Sequence, residues 1–173
     1  MSSNDERYLA GRQELLAFLD QNSIAYEETD HAAVTSMQES ARLGLEIEGV
    51  RCKNLLMQDK KKQRLLLIVA KADRPINASL LGRRIGCGRL SLCSAEVLRD
   101  RLGVAQGALS PLALINDIDR AVELVIDDGL RKGPVMLFHP LVNTSTLALT
   151  YGDWLRFLNA IGYEPLYVTT GEV

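Results

Sequence analysis

The run Leu65-Leu66-Leu67-Ile68-Val69 places the tightest limit on how this chain can fold. Neither face of a strand built from these residues offers a polar group to water, so the run reads as a strand buried on both faces. It belongs inside a sheet, with other layers covering it. Cys52-Lys53-Asn54-Leu55-Leu56-Met57 supplies a second strand, and Gln58 to Gln63, which includes Lys60-Lys61-Lys62, is a charged turn joining the two as a hairpin.

The other elements follow from periodicity and punctuation. Leu9, Leu15, Leu16, Phe18 and Leu19 predict an amphipathic helix over 5–21, with Asp5 as cap and Asn22 as stop. Residues 24–29 read as a short strand. Thr35-Ser36-Met37-Gln38 has capping-box form and opens a helix ending near Gly44. Helices are expected over 76–85, closed by Gly86, and from Ser94 to Leu102, closed by Gly103. Leu90–Leu92, 121–126, 135–138, 146–150 and 164–168 read as strands. Asp127-Asp128-Gly129 reads as a turn, its carboxylates sitting where exposed turns or strand ends are expected, and His139-Pro140 ends a strand because proline cannot donate to a ladder. Thr150 caps a last helix through Trp154-Leu155-Arg156-Phe157-Leu158, which stops at Gly162. Strands and helices do not alternate regularly, so the expectation is an α+β fold. It is a single domain over 1–173, with a central mixed, largely antiparallel sheet flanked by helices.

Gly107-Ala108-Leu109-Ser110-Pro111-Leu112-Ala113-Leu114-Ile115-Asn116-Asp117 is uncharged until its last residue. Gly107 can take positive φ, and Pro111 pushes Ser110 out of the α region. The stretch reads as a tight, small-walled loop over 107–111 feeding a buried strand over 112–116. An ordinary turn before a core strand is the plain alternative.

Composition narrows the partners. Twenty Lys and Arg against 22 Asp and Glu leave a net charge of −2, so no global field attracts nucleic acid. An RNA partner would need local patches: Lys60–Lys62 with Arg64, Arg83-Arg84 with Arg89, or Arg131-Lys132. Each is also what a solvated turn or helix face looks like. Cys52, Cys87 and Cys93 are odd in number and lack a CxxC spacing, which points to reduced cysteines in a cytoplasmic protein. With His31 and His139 as the two histidines, a zinc site is not expected. No signal peptide or membrane span is legible.

Three polar exceptions stand out in apolar surroundings. Lys53-Asn54 enters a strand, where lysine can pair with a phosphate and asparagine can hold a carbonyl or hydroxyl. Lys53 can equally be an edge lysine that blocks wrong pairing. His139 ends an apolar strand, and Asn143-Thr144-Ser145-Thr146 is a hydroxyl-rich run that can bind backbone or ligand. The chain carries no G-x-S-x-G, P-loop, Rossmann or HExxH signature.

Taken in order, Lys53-Asn54, the Gly107 to Pro111 loop, Leu114 to Asp117, Phe138-His139-Pro140 and Asn143 to Thr146 resemble the YbaK/prolyl-tRNA synthetase-associated editing domains. Arg89 to Glu96 is similar to that family's strand-to-helix junction, and the likeness spans about residues 25–168. Within the family, the free-standing prolyl-tRNA editing proteins look closest. The resemblance implies an aminoacyl-tRNA deacylase that removes alanine from tRNA(Pro) by substrate-assisted attack of water, without metal or cofactor. Lys53 would hold the terminal nucleotide and Asn54 would orient the ester. Gly107, Ala108, Leu109, Ser110 and Pro111 would bring backbone against the aminoacyl group. His139 would line the amino-acid pocket, with Asn143 and Thr144 also binding substrate. The implied partners are the tRNA(Pro) acceptor end and prolyl-tRNA synthetase, with no DNA and no membrane. Ser145 stands where the family pattern has alanine. Cys-tRNA(Pro) deacylation and a non-catalytic RNA- or aminoacyl-binding module of the same fold are the alternatives.

Overall fold

The computed structural model describes residues 9–171 apart from 35, 45, 60 and 62. The proposed cap Asp5, Thr35, Lys60 and Lys62 lie outside the described residues. Strands β1 (Glu27–Asp30), β2 (Val50–Asp59), β3 (Leu65–Lys71), β4 (Leu90–Leu92), β5 (Val122–Asp127), β6 (Val135–Phe138), β7 (Ser145–Thr150) and β8 (Leu166–Val168) form one sheet. Its order is β1-β7-β6-β2-β3-β5-β8, with β4 attached separately to β2. The β2–β3, β2–β4, β1–β7 and β6–β7 ladders are antiparallel. The β2–β6, β3–β5 and β5–β8 ladders are parallel. The mixed α+β architecture expected from sequence is therefore the one observed.

Helices α1 (Arg12–Gln21), α2 (Met37–Gly44), α3 (Ala78–Arg84), α4 (Ala95–Leu102) and α5 (Tyr151–Ala160) complete the fold. Their ends follow capping chemistry. The side chains of Asn77, Ser94 and Thr150 accept from backbone N–H groups of the first turns of α3, α4 and α5. Ser36 Oγ accepts from Glu39 N, so Ser36 is the observed cap of α2. Gly103 ends α4 at φ +68, where a side chain would also crowd Asn116 and Leu9.

The run Leu65 to Val69 behaves as its composition requires. Leu67 and Val69 enter the larger core, with Trp154, Phe157 and Phe138 among its largest members, while Leu66 and Ile68 pack beneath α3 with Leu81 and Met57. Both faces of β3 are thus sealed, and all residues from Leu66 to Ala70 are buried.

Two expectations need correction. Pro111–Asn116 is a 3₁₀ helix, not a strand. Pro111 suits a first helical position because it has no N–H to satisfy, and Ser110 Oγ accepts from Leu112 N at 3.2 Å. An apolar run buried on all sides looks the same in sequence whether it is extended or helical. Asn116 then ties this turn to Ala10 and Leu102 through its amide.

Asp127 is the second correction. It stands at the end of β5, but it is fully buried and not exposed. Its carboxylate accepts from Gly129 N at 2.8 Å, Thr170 N at 2.9 Å and Thr170 Oγ1 at 2.5 Å, and pairs with Arg74 at 3.1 Å. Burial pushes this carboxyl up, but the Thr170 and Gly129 donors and Arg74 outweigh it, leaving the group below its ordinary range. The stabilisation is therefore present at neutral pH and is lost as pH falls through that lowered value. Asp127→Ala should cost about 3 kcal/mol, because it strands several buried donors. Urea denaturation at pH 7 measures it, and the gap from wild type should narrow in acid.

Candidate functional site

Strand β2 is paired along its whole length on one edge but divided on the other. Cys52 to Gln58 pair with β3. On the opposite edge Val50 and Arg51 pair with β6, Met57 to Asp59 pair with β4, and Leu56 O accepts from Cys93 N at 2.9 Å. Between these contacts the sheet opens at Lys53, Asn54 and Leu55.

Alternation decides which side chains meet there. Val50, Cys52 and Leu56 of β2, Met136 and Phe138 of β6, and Leu147 and Leu149 of β7 belong to the larger core. Arg51, Lys53, Leu137, Thr146 and Ala148 therefore lie on the other face. The β2–β6 ladder stops at Arg51 and Leu137, two residues short of Lys53 and His139. Lys53 stays within β2, opposite Ala70, on the stretch of edge that β6 does not cover, and His139 follows the end of β6. Lys53 has no ion-pair partner among the described residues. Asn54, opposite Val69, carries a buried Oδ1 that has no hydrogen-bond partner among the described residues.

His139 is held by its own neighbours. Its Nδ1 lies 2.9 Å from Ser145 O, and a carbonyl accepts only, so Nδ1 carries the hydrogen. Burial lowers the affinity of this ring for a second proton, the Ser145 carbonyl partly restores it, and His31 lowers it again, for a net fall below 6.5. The ring is neutral at pH 7, with a lone pair on Nε2. Ser145 is anchored in turn: its hydroxyl donates to Glu28 Oε1 at 2.7 Å, the oxygen that also accepts from Arg12 Nε. Burial pushes the Glu28 carboxyl up, but Ser145 and Arg12 outweigh it and hold it below the usual range. Glu28 is thus committed to structure.

The loop over 107–111 forms a wall between two segments. Gly107 has φ +96, and a Cβ there would lie 3.9 Å from Val34 O. Ser110 Oγ donates to His139 O at 2.7 Å. Ala108, Ser110 and Pro111 are buried, while Gly107 is exposed and Leu109 half-buried. Backbone at Gly107 and the Leu109 side chain are the parts of the loop that solvent reaches. Asn143 braces the segment opposite, accepting from Val34 N through its carbonyl and donating Nδ2 to Val34 O, each at 3.2 Å. Thr144 O accepts from His31 N at 3.0 Å.

His31 joins the group without having been singled out in sequence. Its ring centroid is 6.1 Å from that of His139, and its Nε2 is 2.8 Å from Thr146 Oγ1. The signal for it is non-local, since β1 must pair with β7 before residues 31 and 146 become neighbours.

The end of β2 that leads into the charged turn lies away from this site. Lys53 and Asp59 stand at opposite ends of β2, roughly 20 Å apart at about 3.3 Å per residue. Arg64 is locked by both oxygens of Glu123 and by Ile85 O. Arg84 donates to Thr169 O and Gly171 O, and Arg131 pairs with Asp128 and stacks over Tyr167. These cations serve the fold. Cys52, next to Lys53, is no nucleophile: burial pushes its thiol up to about 12. Among the described residues no three His, Cys, Asp or Glu side chains gather as metal ligands, and no helix is long and apolar enough to cross a membrane.

The model of the aminoacyl-tRNA editing domain family matches residues 31–157. The chain is 34% identical over 160 residues to "Prolyl-tRNA synthetase associated domain-containing protein 1" of Danio rerio, covering 91% of this chain and 86% of that protein. It is 32% identical over 151 residues to "Prolyl-tRNA editing protein ProX" of Acetoanaerobium sticklandii, covering 87% and 92%. A solved structure described as a candidate trans-editing enzyme for prolyl tRNA synthetase shares the fold, with a TM-score of 0.67 at 17% identity over 95% of this chain and all of that one. The matched segment runs from His31 through the β2 split, the Gly107 loop and His139 to α5, and the chain belongs to the aminoacyl-tRNA editing domain family.

Proposed function

We propose that this protein is a trans-editing deacylase that hydrolyses the ester of Ala-tRNA(Pro). The observation that carries the reading is the stretch of the β2 edge at Lys53 and Asn54 that β6 and β4 leave uncovered, with His139, whose carbonyl is tied to the Gly107 loop through Ser110, just beyond the end of β6. Water attacks the ester carbonyl carbon, the bond to the ribose oxygen breaks, and that oxygen takes a proton, leaving alanine and free tRNA. The terminal ribose hydroxyl and the protein orient the water. His139 Nε2 lines the amino-acid pocket as a hydrogen-bond acceptor.

Lys53 supplies a point charge for the terminal phosphate or ribose, and the unpartnered Oδ1 of Asn54 accepts from a donor on the substrate. Gly107 brings main chain against the aminoacyl group, and Leu109 bounds the space beside it. Ala108, Ser110 and Pro111 shape that wall from behind, as Asn143 and Thr144 do for the segment over 31–34. A pocket bounded by loop backbone refuses proline by size, whereas serine, cysteine and alanine differ by one small group and are separated by about 1–3 kcal/mol at most. The names of the relatives, one a prolyl-tRNA editing protein, support tRNA(Pro) as the RNA. The acceptor end is the part that must enter, and prolyl-tRNA synthetase is the partner whose errors such an enzyme would remove. The cytoplasm, where translation runs, is the proposed location.

Release of labelled amino acid from Ala-, Cys-, Ser- and Pro-tRNA(Pro) tests the proposal. Alanine should leave fastest and proline should stay. Faster loss of cysteine would change the substrate, and no hydrolysis of any would overturn the enzyme. Lys53→Ala should lower kcat/KM for Ala-tRNA(Pro) by about 10- to 100-fold, as expected for one charged contact. Gly107→Ala should cost at least about tenfold, because the added Cβ disfavours the positive φ and displaces the wall. The activity should also fall as pH drops, with its acid half-point below 6.5, where His139 takes a proton and loses its acceptor.

A further inference from the structure

The stretch of β2 between β6 and β4 leaves main chain, as well as side chains, without a partner. Three hydrogen bonds fix which way that main chain points. Arg51 O accepts from Ala72 N at 2.9 Å and Asp59 N donates to Arg64 O at 3.2 Å, so the N–H and C=O groups of the odd-numbered residues aim at β3. Leu56 O accepts from Cys93 N at 2.9 Å, so those of the even-numbered residues aim at the opposite edge. This alternation holds along an antiparallel ladder. Lys53 and Leu55 therefore bond β3, whereas the N–H and C=O of Asn54 point into the opening.

The β6 ladder ends at Arg51, and the β4 ladder begins at Met57. Among the described residues no other group bonds the Asn54 main chain, and its Oδ1 is buried and without a partner. Asn54 is half-buried, a position where backbone groups are normally paired. Residues 53–55 span about 10 Å at about 3.3 Å per residue. That length accommodates one residue between the ends of β6 and β4 and is too short for an added strand.

We propose that Asn54 binds the alanyl group through its main chain, as if the alanine were one residue of an antiparallel strand. This rests on the deacylase reading given under Proposed function. An aminoacyl ester carries its ammonium and its carbonyl on one Cα, as a strand residue carries its N–H and C=O. The ammonium donates to Asn54 O, and the ester carbonyl oxygen accepts from Asn54 N–H. Residues paired across antiparallel strands share a face, so the alanine methyl points to the face of Cys52 and Leu56. Ala108 and Leu109 of the loop over 107–111 pack against the same core. When water adds to the carbonyl carbon, negative charge gathers on the oxygen that Asn54 N–H already holds. The bond to the ribose oxygen then breaks, that oxygen takes the proton the water gives up, and the carbonyl re-forms in the carboxyl group of alanine. Asn54 is thus a catalytic residue through its backbone.

Hydrogen exchange in the wild-type protein tests the placement. The amide hydrogen of Asn54 should exchange faster than those of Lys53 and Leu55 by about 100-fold or more. The stable amide 3′-alanylamino-3′-deoxyadenosine should slow that exchange and shift the Asn54 amide proton resonance. Its propionyl counterpart, which lacks the amino group, should bind at least about tenfold more weakly. For the reaction, Asn54→Ala removes the side-chain oxygen but keeps the N–H, and Asn54→Pro removes both. Proline is tolerated where the missing N–H faces an open edge. The kcat for Ala-tRNA(Pro) should be lower in Asn54→Pro than in Asn54→Ala by about 100- to 1,000-fold, as for one oxyanion donor.

Equal kcat in the two folded variants overturns the proposal and leaves the deacylase standing. So does an Asn54 amide as protected as its neighbours in the free protein, or one that saturating analogue does not move. If Asn54→Pro does not fold, the wild-type exchange and analogue measurements decide. If no charged tRNA is hydrolysed, the deacylase reading fails, and analogue binding still decides whether Asn54 holds an aminoacyl group.

Discussion

Strand β2 has to satisfy two partners on one edge, and much of the molecule depends on how it divides them. Its other edge is committed to β3 from Cys52 to Gln58. The free edge takes β6 at Val50 and Arg51 and β4 from Met57 onward. A continuous neighbour would close the sheet and leave no room for a ligand. Because β6 ends at Phe138, with Pro140 unable to extend a ladder, the edge of β2 beyond Arg51, which includes Lys53, is left uncovered by β6. The opening follows from strand length and from one proline.

Polar side chains then hold the edges of that opening against rigid parts of the fold. Ser110 ties the Gly107 loop to the backbone of His139 at 2.7 Å. Ser145 ties the carbonyl that orients His139 to Glu28, and Glu28 to Arg12 on α1. A buried hydroxyl must find partners, so each of these serines converts its own satisfaction into a position for a neighbouring group. The buried Oδ1 of Asn54 lacks a partner among the described residues, and it lies at the open stretch of β2.

The fold was largely readable from local pattern. Leu65 to Val69 announced a strand covered on both faces, Ser94 and Thr150 announced helix starts, and Gly103 announced a helix end. Periodicity failed at Pro111–Asn116, where burial on all sides removes the polar residues that would separate a strand from a tight helix. It also failed at Asp127, since a carboxylate looks alike in sequence whether water or four donors surround it. Of the candidate site, Lys53, Asn54, Gly107 and His139 drew notice as polar or glycine exceptions in apolar runs. Which of them share a face required the register of β2 with β6.

Most of the elements, their caps and the small-walled loop at Gly107 are legible in the chain itself, because these depend on neighbours a few residues away. The register of the sheet decided that Lys53 lies on the stretch of β2 that β6 leaves uncovered, and the pairing of β1 with β7 that His31 reaches Thr146. Those placements join residues far apart in the chain, such as 31 with 146 and 51 with 137. The contacts that fix them are ladder hydrogen bonds, which every residue type can make, and so leave no mark in residue identity.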